Sequence, residues 1–141
     1  MKTSARNALR GEVEHVELGA VSAEVTLRVS DAVKITAIVT RTSAEELQLV
    51  AGRAAIALIK SSFVILAPGD VPLRTSARNC LAGIVAHRED GAVNSEIVLE
   101  VSPGQTVTST ITRQSADALG LEVGKPAMAL IKASHVILAV E

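Results

Sequence analysis

Aromatic residues are almost missing from this chain: Phe63 stands alone, with no Trp and no Tyr, at 1% of 141 residues. A core must then be built from Val, Ile, Leu and Ala, and the stacking platforms that hold single-stranded nucleic acid are lacking. Charge of one sign is lacking too. Fourteen Lys and Arg against 15 Asp and Glu leave a formal net charge of −1, not the basic surplus of a nucleic-acid binder. The single cysteine, Cys80, allows neither a disulfide framework nor a thiolate metal cluster. Apolar runs such as Ile56–Ile59 and Phe63–Ala67 fall far short of a membrane span. The opening MKTSARN has no apolar stretch of the kind a signal peptide needs. The expectation is a soluble cytoplasmic protein that engages neither nucleic acid nor membrane. No phosphate-binding G-x-x-x-x-G-K-[ST], no H-E-x-x-H and no G-x-S-x-G is present, so the sequence offers no catalytic set.

What the chain does contain is itself, twice. Thr3-Ser-Ala-Arg-Asn7 returns as Thr75-Ser-Ala-Arg-Asn79, and residues 3–67 lie on 75–139 at a constant offset of 72 with about half the positions identical. Such a period sets the architecture: domain 1 over residues 1–67, a linker over 68–74 containing Pro68-Gly-Asp-Val-Pro72, and domain 2 over 75–141. A lone module of about 60 residues buries too little surface to be comfortably stable, so the modules are expected to need each other or further chains. Repetition also sorts the polar residues. Ser4/Ser76, Arg6/Arg78, Asn7/Asn79, His15/His87, Glu24/Glu96, Thr36/Thr108, Thr40/Thr112, Arg41/Arg113, Ser43/Ser115, Lys60/Lys132 and Ser62/Ser134 appear in both copies.

Leu9–Leu18 reads as a strand, and Val21–Val29 with its twin Val93–Val101 alternates apolar and polar residues most cleanly. Lys34–Thr40 and Gln105–Thr112 continue as strands. The period then changes, and Ser43–Leu49 and Ser115–Leu121 fit short helices, with Ser43 and Glu46 at capping-box spacing. Ala54–Lys60 and Ser62–Ala67, and correspondingly Pro126–Lys132 and Ser134–Val140, complete five strands per module with a helix after the third. That order fits a mainly β protein of two tandem OB-type five-stranded barrels, each with one short helix.

The residues alone leave two readings at most polar positions. His15/His87 read as exposed strand histidines rather than metal ligands. Cys80, which replaces Ala8, reads as a small packed residue. Glu24/Glu96 read as a solvated strand face. Ser43 either caps its helix or offers its hydroxyl elsewhere; Arg6 either pairs on the surface or meets a ligand; Lys60 either snorkels from a strand end or does the same. Retained together, cations, hydroxyls and helix-start amides form the inventory that holds a small anion.

The S-A-R-N opening, the G-A-V-[SN]-x-E strand, the [VI]-T-x-x-S segment before a short helix and the A-L-I-K-[SA]-S-x-V-I-L ending together resemble the Mop domain. That is the molybdate-binding module of the molbindins, related to the TOBE domains of transporter ATPases. The likeness covers essentially the whole chain twice and is greatest to tandem, di-Mop molbindins. It implies binding of molybdate or tungstate as the intact oxyanion, with no metal ion coordinated by the protein, no organic cofactor and no enzymatic activity. It also implies a homotrimer with sites between modules. Ser4, Arg6, Lys60 and Ser61 would come from one module, and Thr40, Ser43 and the amide of Ala44 from a neighbour. The second copy would supply Ser76, Arg78, Lys132 and Ala133, and Thr112, Ser115 and Ala116. A second kind of site near a three-fold axis is expected at the turns Gly19, Ala20, Val21, Ser22 and Gly91, Ala92, Val93, Asn94. Storage or homeostasis of molybdenum is the function this implies; the alternative is an oxyanion-sensing module acting through a partner protein.

Overall fold

The alternating segments of both repeats form strands in the computed structural model, which describes residues 2–141. The first repeat gives β1 (Asn7–Leu18), β2 (Ser22–Arg28), β3 (Lys34–Thr40), α1 (Arg41–Glu46), β4 (Ala54–Ile59) and β5 (Ile65–Pro68). The second gives β6 (Asn79–Asp90), β7 (Asn94–Ser102), β8 (Gln105–Thr112), α2 (Arg113–Ala118), β9 (Pro126–Ile131) and β10 (Ile137–Ala139). A 3-10 turn at Ser61–Phe63 precedes β5 and another at Ala133–His135 precedes β10, so the last strands begin later than their apolar pattern implies.

Two five-stranded antiparallel sheets result, in the orders β10-β4-β1-β2-β3 and β5-β9-β6-β7-β8. Each curls until its outer strands meet, β10 against β3 and β5 against β8, which gives the OB-type barrel. The long first strand serves both halves of the curl. Asn7–Glu12 pairs with β4, and Glu12–Leu18 pairs with β2. At the handover Gly11 lies so close to β2 that a Cβ would sit 2.5 Å from the Arg28 carbonyl oxygen, and Gly83 repeats the crossing against Glu100. The register shifts between Val13 and His15 and again between Val85 and His87. This bulge explains why the apolar residues of β1 fall three apart, and it leaves His15 and His87 exposed.

Each barrel is filled with aliphatic side chains. Val25, Leu27, Ile35, Ala37, Ala57 and Ile59 are fully buried in the first unit, and Ile97, Leu99, Ala127, Ala129 and Ile131 in the second. Burying one Val, Leu or Ile stabilises by about 1.5–3 kcal/mol, so barrels this small close without aromatics.

The folded units and the repeats do not coincide. One unit comprises the chain through Lys60 together with Lys132–Glu141; the other comprises Ser61–Ile131. The last strand of each repeat is exchanged: β5 of the first repeat pairs with β9 of the second, and β10 of the second pairs with β4 of the first. A boundary at residue 67 thus marks the end of the repeated sequence, whereas the folded unit ends at Lys60. The physical reason is near-identity of the partners. Ala54–Ile59 and Pro126–Ile131 present the same alternation to strands that are themselves nearly alike, so pattern alone selects neither pairing.

Candidate functional site

The helices start two residues earlier than Ser43 and Ser115. Thr40 and Thr112, at the ends of β3 and β8, are the N-caps, with extended backbone at φ −69 and ψ 149 or 146. The Thr40 Oγ1 accepts from the Ser43 amide at 3.0 Å, and the Thr112 Oγ1 accepts from the Ser115 amide at 3.1 Å. The threonine hydroxyls in turn donate to the serine hydroxyls at 2.8 and 2.9 Å. The expected Ser43–Glu46 capping box is therefore replaced by Thr40–Ser43. A threonine that ends a strand also satisfies the strand pattern, which hides its capping role. Ala44 and Ala116 pack inward from the same turns.

In the first unit Thr40 and Ser43 line a cavity of about 400 Å³ together with Ser22 and Ser134. Its other walls are apolar side chains of β3, α1 and the segment entering β10, and no ionisable residue lines it. The exchange of strands makes this arrangement, because the turn Ala133–His135 packs on β3. Ser22, expected at the turn site, thus joins the helix-start hydroxyls.

The matching turn in the second unit packs on β8, where Ser61 meets Thr110, Oγ to Oγ1, at 2.8 Å. Ser109 also donates its hydroxyl to the Val64 carbonyl at 2.6 Å. At the equivalent first-unit positions stand Ala133 with Ile38 and Val136 with Ala37. The change from Ser61 to Ala133 is therefore matched across the contact, hydroxyl to hydroxyl and methyl to methyl, and the Ser61 hydroxyl already has a structural partner.

Ser4, Arg6, Ser76 and Arg78 are exposed on the stretches that lead into β1 and β6. The repeated TSARN holds them there. The Thr3 hydroxyl accepts from the Ala5 amide at 3.0 Å, and Thr75 does the same for Ala77 at 3.0 Å. Buried Asn7 and Asn79 donate through Nδ2 to the carbonyls of Ile59 and Ile131, each at 3.2 Å. Because Asn7 faces Ile59 across an antiparallel ladder, Arg6 and exposed Lys60 flank the same strand end. Neither lines the cavity that holds Thr40 and Ser43. Lys132 is likewise exposed, beside buried Ala133. Thr3, Asn7 and their twins are positioning residues that side-chain chemistry alone did not single out; their retention in both repeats was the available signal.

The turns Gly19–Ser22 and Gly91–Asn94 are exposed and tied to the helices. The Arg41 amide donates to the Val21 carbonyl at 2.9 Å and the Arg113 amide to Val93 at 2.8 Å. The Arg41 guanidinium adds bonds to the Gly19 carbonyl at 3.1 Å and to Glu45 at 2.7 Å. The cleft beside the first turn, about 300 Å³, is lined by Glu17 and Glu24 as well as Gly19 and Ser22. Its carboxylates distinguish it from the hydroxyl-lined cavity.

Cys80 is exposed rather than packed away, with its thiol 3.9 Å from the Met128 sulfur. The second unit also carries an ion cluster with no first-unit counterpart. Arg88 bonds Asp90 and Glu122 at 2.9 Å each, and pairs with Asp117 of α2. The first-repeat equivalent of Arg88 is Val16.

Residues 3–66 and 75–138 each match the model of the TOBE domain. The molybdenum-pterin-binding protein MopA of Rhodobacter capsulatus is 55% identical over 139 residues, covering 99% of this chain and 52% of that protein. The molybdenum transport protein ModE of Herbaspirillum seropedicae is 43% identical over 141 residues, covering 100% of this chain and 52% of that protein. The chain thus spans about half the length of the curated relatives it matches. Among solved structures, the cytoplasmic molybdate-binding protein ModG with molybdate bound superposes with a TM-score of 0.95, at 44% identity and full coverage of both chains.

Proposed function

The chain belongs to the TOBE-domain family, with two such domains in tandem, and from that premise we propose that it binds molybdate, and tungstate with it, for intracellular molybdenum storage. One observation carries this reading: the cavity of Thr40, Ser43, Ser22 and Ser134 offers four hydroxyls and no carboxylate. Molybdate at neutral pH is a tetrahedral dianion with acceptor oxygens only. It needs a donor at each oxygen and is repelled by a carboxylate. Phosphate, partly protonated, gains from an acceptor that this lining lacks. Tungstate has the same shape and charge and should follow molybdate.

Hydroxyls alone leave a dianion's charge unanswered, and desolvated dianions are held by charge-assisted bonds. The exposed cations Arg6 and Lys60, with Arg78 and Lys132, supply that charge in this reading. Arg6 and Lys60 do not line the cavity, so each complete site joins Thr40, Ser43 and the Ala44 amide of one module to Ser4, Arg6, Lys60 and the Ser61 segment of another. Thr112, Ser115 and Ala116 join Ser76, Arg78, Lys132 and Ala133 in the same way. A homotrimer provides the neighbours, and the Gly19–Ser22 and Gly91–Asn94 turns would then gather near its axis. ModG, a cytoplasmic molybdate-binding protein of the same fold, supports both the ligand and a cytoplasmic location. The anion enters and leaves intact, with no reaction and no organic cofactor.

A second reading is favoured by kinship. A transcriptional regulator, ModE of Yersinia pestis, is 36% identical over 140 residues, so the tandem unit also suits an oxyanion-sensing part that acts through a partner protein. Incubation with molybdate, desalting and metal analysis tests the first reading. Molybdenum retained in fixed proportion to protein is expected, and protein emerging without molybdenum contradicts it. Sedimentation of the same sample should show three chains per particle.

A further inference from the structure

A second, chemically different anion site lies on the first unit alone. We propose that the cleft at the β1–β4 end, walled by Arg10, Arg53, Ala55, Ile56 and Glu141, binds the dianionic head of a small organic phosphate monoester. The cleft holds about 280 Å³, more than a lone tetrahedral anion fills and near the lower end of small-molecule sites. Arg53 is half-buried, and its Nε is shielded from solvent with no hydrogen-bond partner among the described residues. No acidic side chain among them answers its charge. Buried donors are almost always satisfied, so a buried Nε–H in a cleft marks the place of an acceptor that arrives from outside.

The second guanidinium, Arg10, is paired with the Glu141 carboxylate. That carboxylate shows what the cleft accepts: an anionic oxygen on an arginine guanidinium. Both partners of the pair are more than half exposed, and such pairs contribute little, so a ligand displaces Glu141 at small cost. Once it leaves, two positive charges face the cleft and match a dianion, and arginine is the side chain best shaped for phosphate oxygens. Ala54, Ala55 and Ile56 line the remaining wall and take an apolar body. None of Ser4, Arg6, Thr40, Ser43 or Lys60 lines this cleft, so it is separate from the oxyanion donors. The second repeat has Ala82 and Lys125 at the equivalent positions, which makes the stoichiometry one per chain.

Phenyl phosphate is the probe. It is titrated into the full chain in saturating molybdate, which occupies the oxyanion sites, while the arginine Nε–H signals are followed by nitrogen-15 NMR. Saturable binding of one equivalent per chain is expected, with a shift of the Arg53 Nε–H signal. Arg53→Met should weaken binding about tenfold or more, as loss of one partner of a charged hydrogen bond does. Glu141→Gln should strengthen it several-fold by removing the competing carboxylate. If Arg53→Met fails to fold, the Glu141→Gln result and the Arg53 signal still decide. Absence of saturable binding, unchanged affinity in a folded Arg53→Met, or benzoate binding as tightly as phenyl phosphate would each overturn the assignment.

Discussion

Thr40 and Ser43 are joined by two hydrogen bonds of different kinds: the threonine hydroxyl accepts from the serine amide at 3.0 Å and donates to the serine hydroxyl at 2.8 Å. Thr112 and Ser115 repeat both bonds at 3.1 and 2.9 Å. The pair divides two tasks. Thr40 caps the helix and donates to Ser43, which leaves the Ser43 hydroxyl its own proton to donate at the cavity that it lines. Ser43→Ala together with Ser115→Ala is therefore expected to weaken molybdate binding while moving the unfolding midpoint little. Thr40→Val removes the cap and should cost about 1 kcal/mol of stability as well as affinity. Paired thermal melts and binding titrations separate the two. Equal stability losses in both variants would contradict the division.

The exchange of last strands makes a prediction about truncation. Deleting Ile137–Glu141 removes the strand paired with β4 in the first unit. Hydrogen exchange should then speed up at the Ala54–Ile59 amides while Pro126–Ile131 stays protected by β5 and β6. Pairing within each repeat requires the opposite result.

Gln48 holds φ at 53°, and its counterpart is Gly120 at φ 62°. A side chain in this left-handed region costs about 1–2 kcal/mol relative to the right-handed one, and glycine is spared it. Gln48→Gly should raise stability by about 0.5–1 kcal/mol, less than the full strain because glycine also loses more chain entropy. Gly120→Ala, with nothing crowding its site, should lower stability by about 1 kcal/mol through backbone strain alone. Denaturant midpoints at constant slope check both.

The Arg88 cluster predicts acid sensitivity in the second unit. The Ser95 hydroxyl at 2.6 Å and the Arg88 guanidinium at 2.9 Å hold the Asp90 carboxyl below its usual range. Arg88, with its pKa raised by Asp90 and Asp117, stays charged. A depressed folded pKa means the unfolded state binds protons first. The stabilisation is complete above the ordinary aspartate value of about 3.9 and is lost as pH falls below it through the folded value. Asp90→Asn should flatten that acid limb, and Arg88→Val, which copies Val16, should flatten it in part, since the Ser95 bond remains, while lowering the melting temperature at neutral pH. Melting curves that retain the wild-type acid dependence in both variants would contradict the cluster's role.

Much of this was legible before any coordinates. Period-two alternation located β2, β3, β7 and β8, apolar content and turn residues located the other strands approximately, and the offset of 72 residues located the polar set. Four things were not. The partner of β5 is undetermined by pattern because β4 and β9 are nearly the same strand. Thr40 and Thr112 satisfy a strand and a cap at once, so the sequence pattern puts the helix starts two residues late. The three-residue spacing of Val13 and Val16 conceals a bulge that only cross-strand register reveals. The Ser61 hydroxyl looks free for a ligand until Thr110, far away in sequence, is found against it. Except for the threonine caps, where one residue serves two local patterns, the deciding contact is long-range, and local propensity carries no record of it.

The proposed function requires Arg6 and Arg78 to bring positive charge to an acceptor-only dianion. Titration calorimetry of the wild type and Arg6→Ala/Arg78→Ala with molybdate, against sulfate and phosphate, tests it most directly. Wild type should bind molybdate with a Kd of about 1 μM or tighter and the other anions far more weakly. The double variant should lose about 2–5 kcal/mol, roughly 30- to several-thousand-fold in affinity, while keeping its fold and oligomeric state. Equal affinity for sulfate, or wild-type molybdate binding in the double variant, would contradict the account.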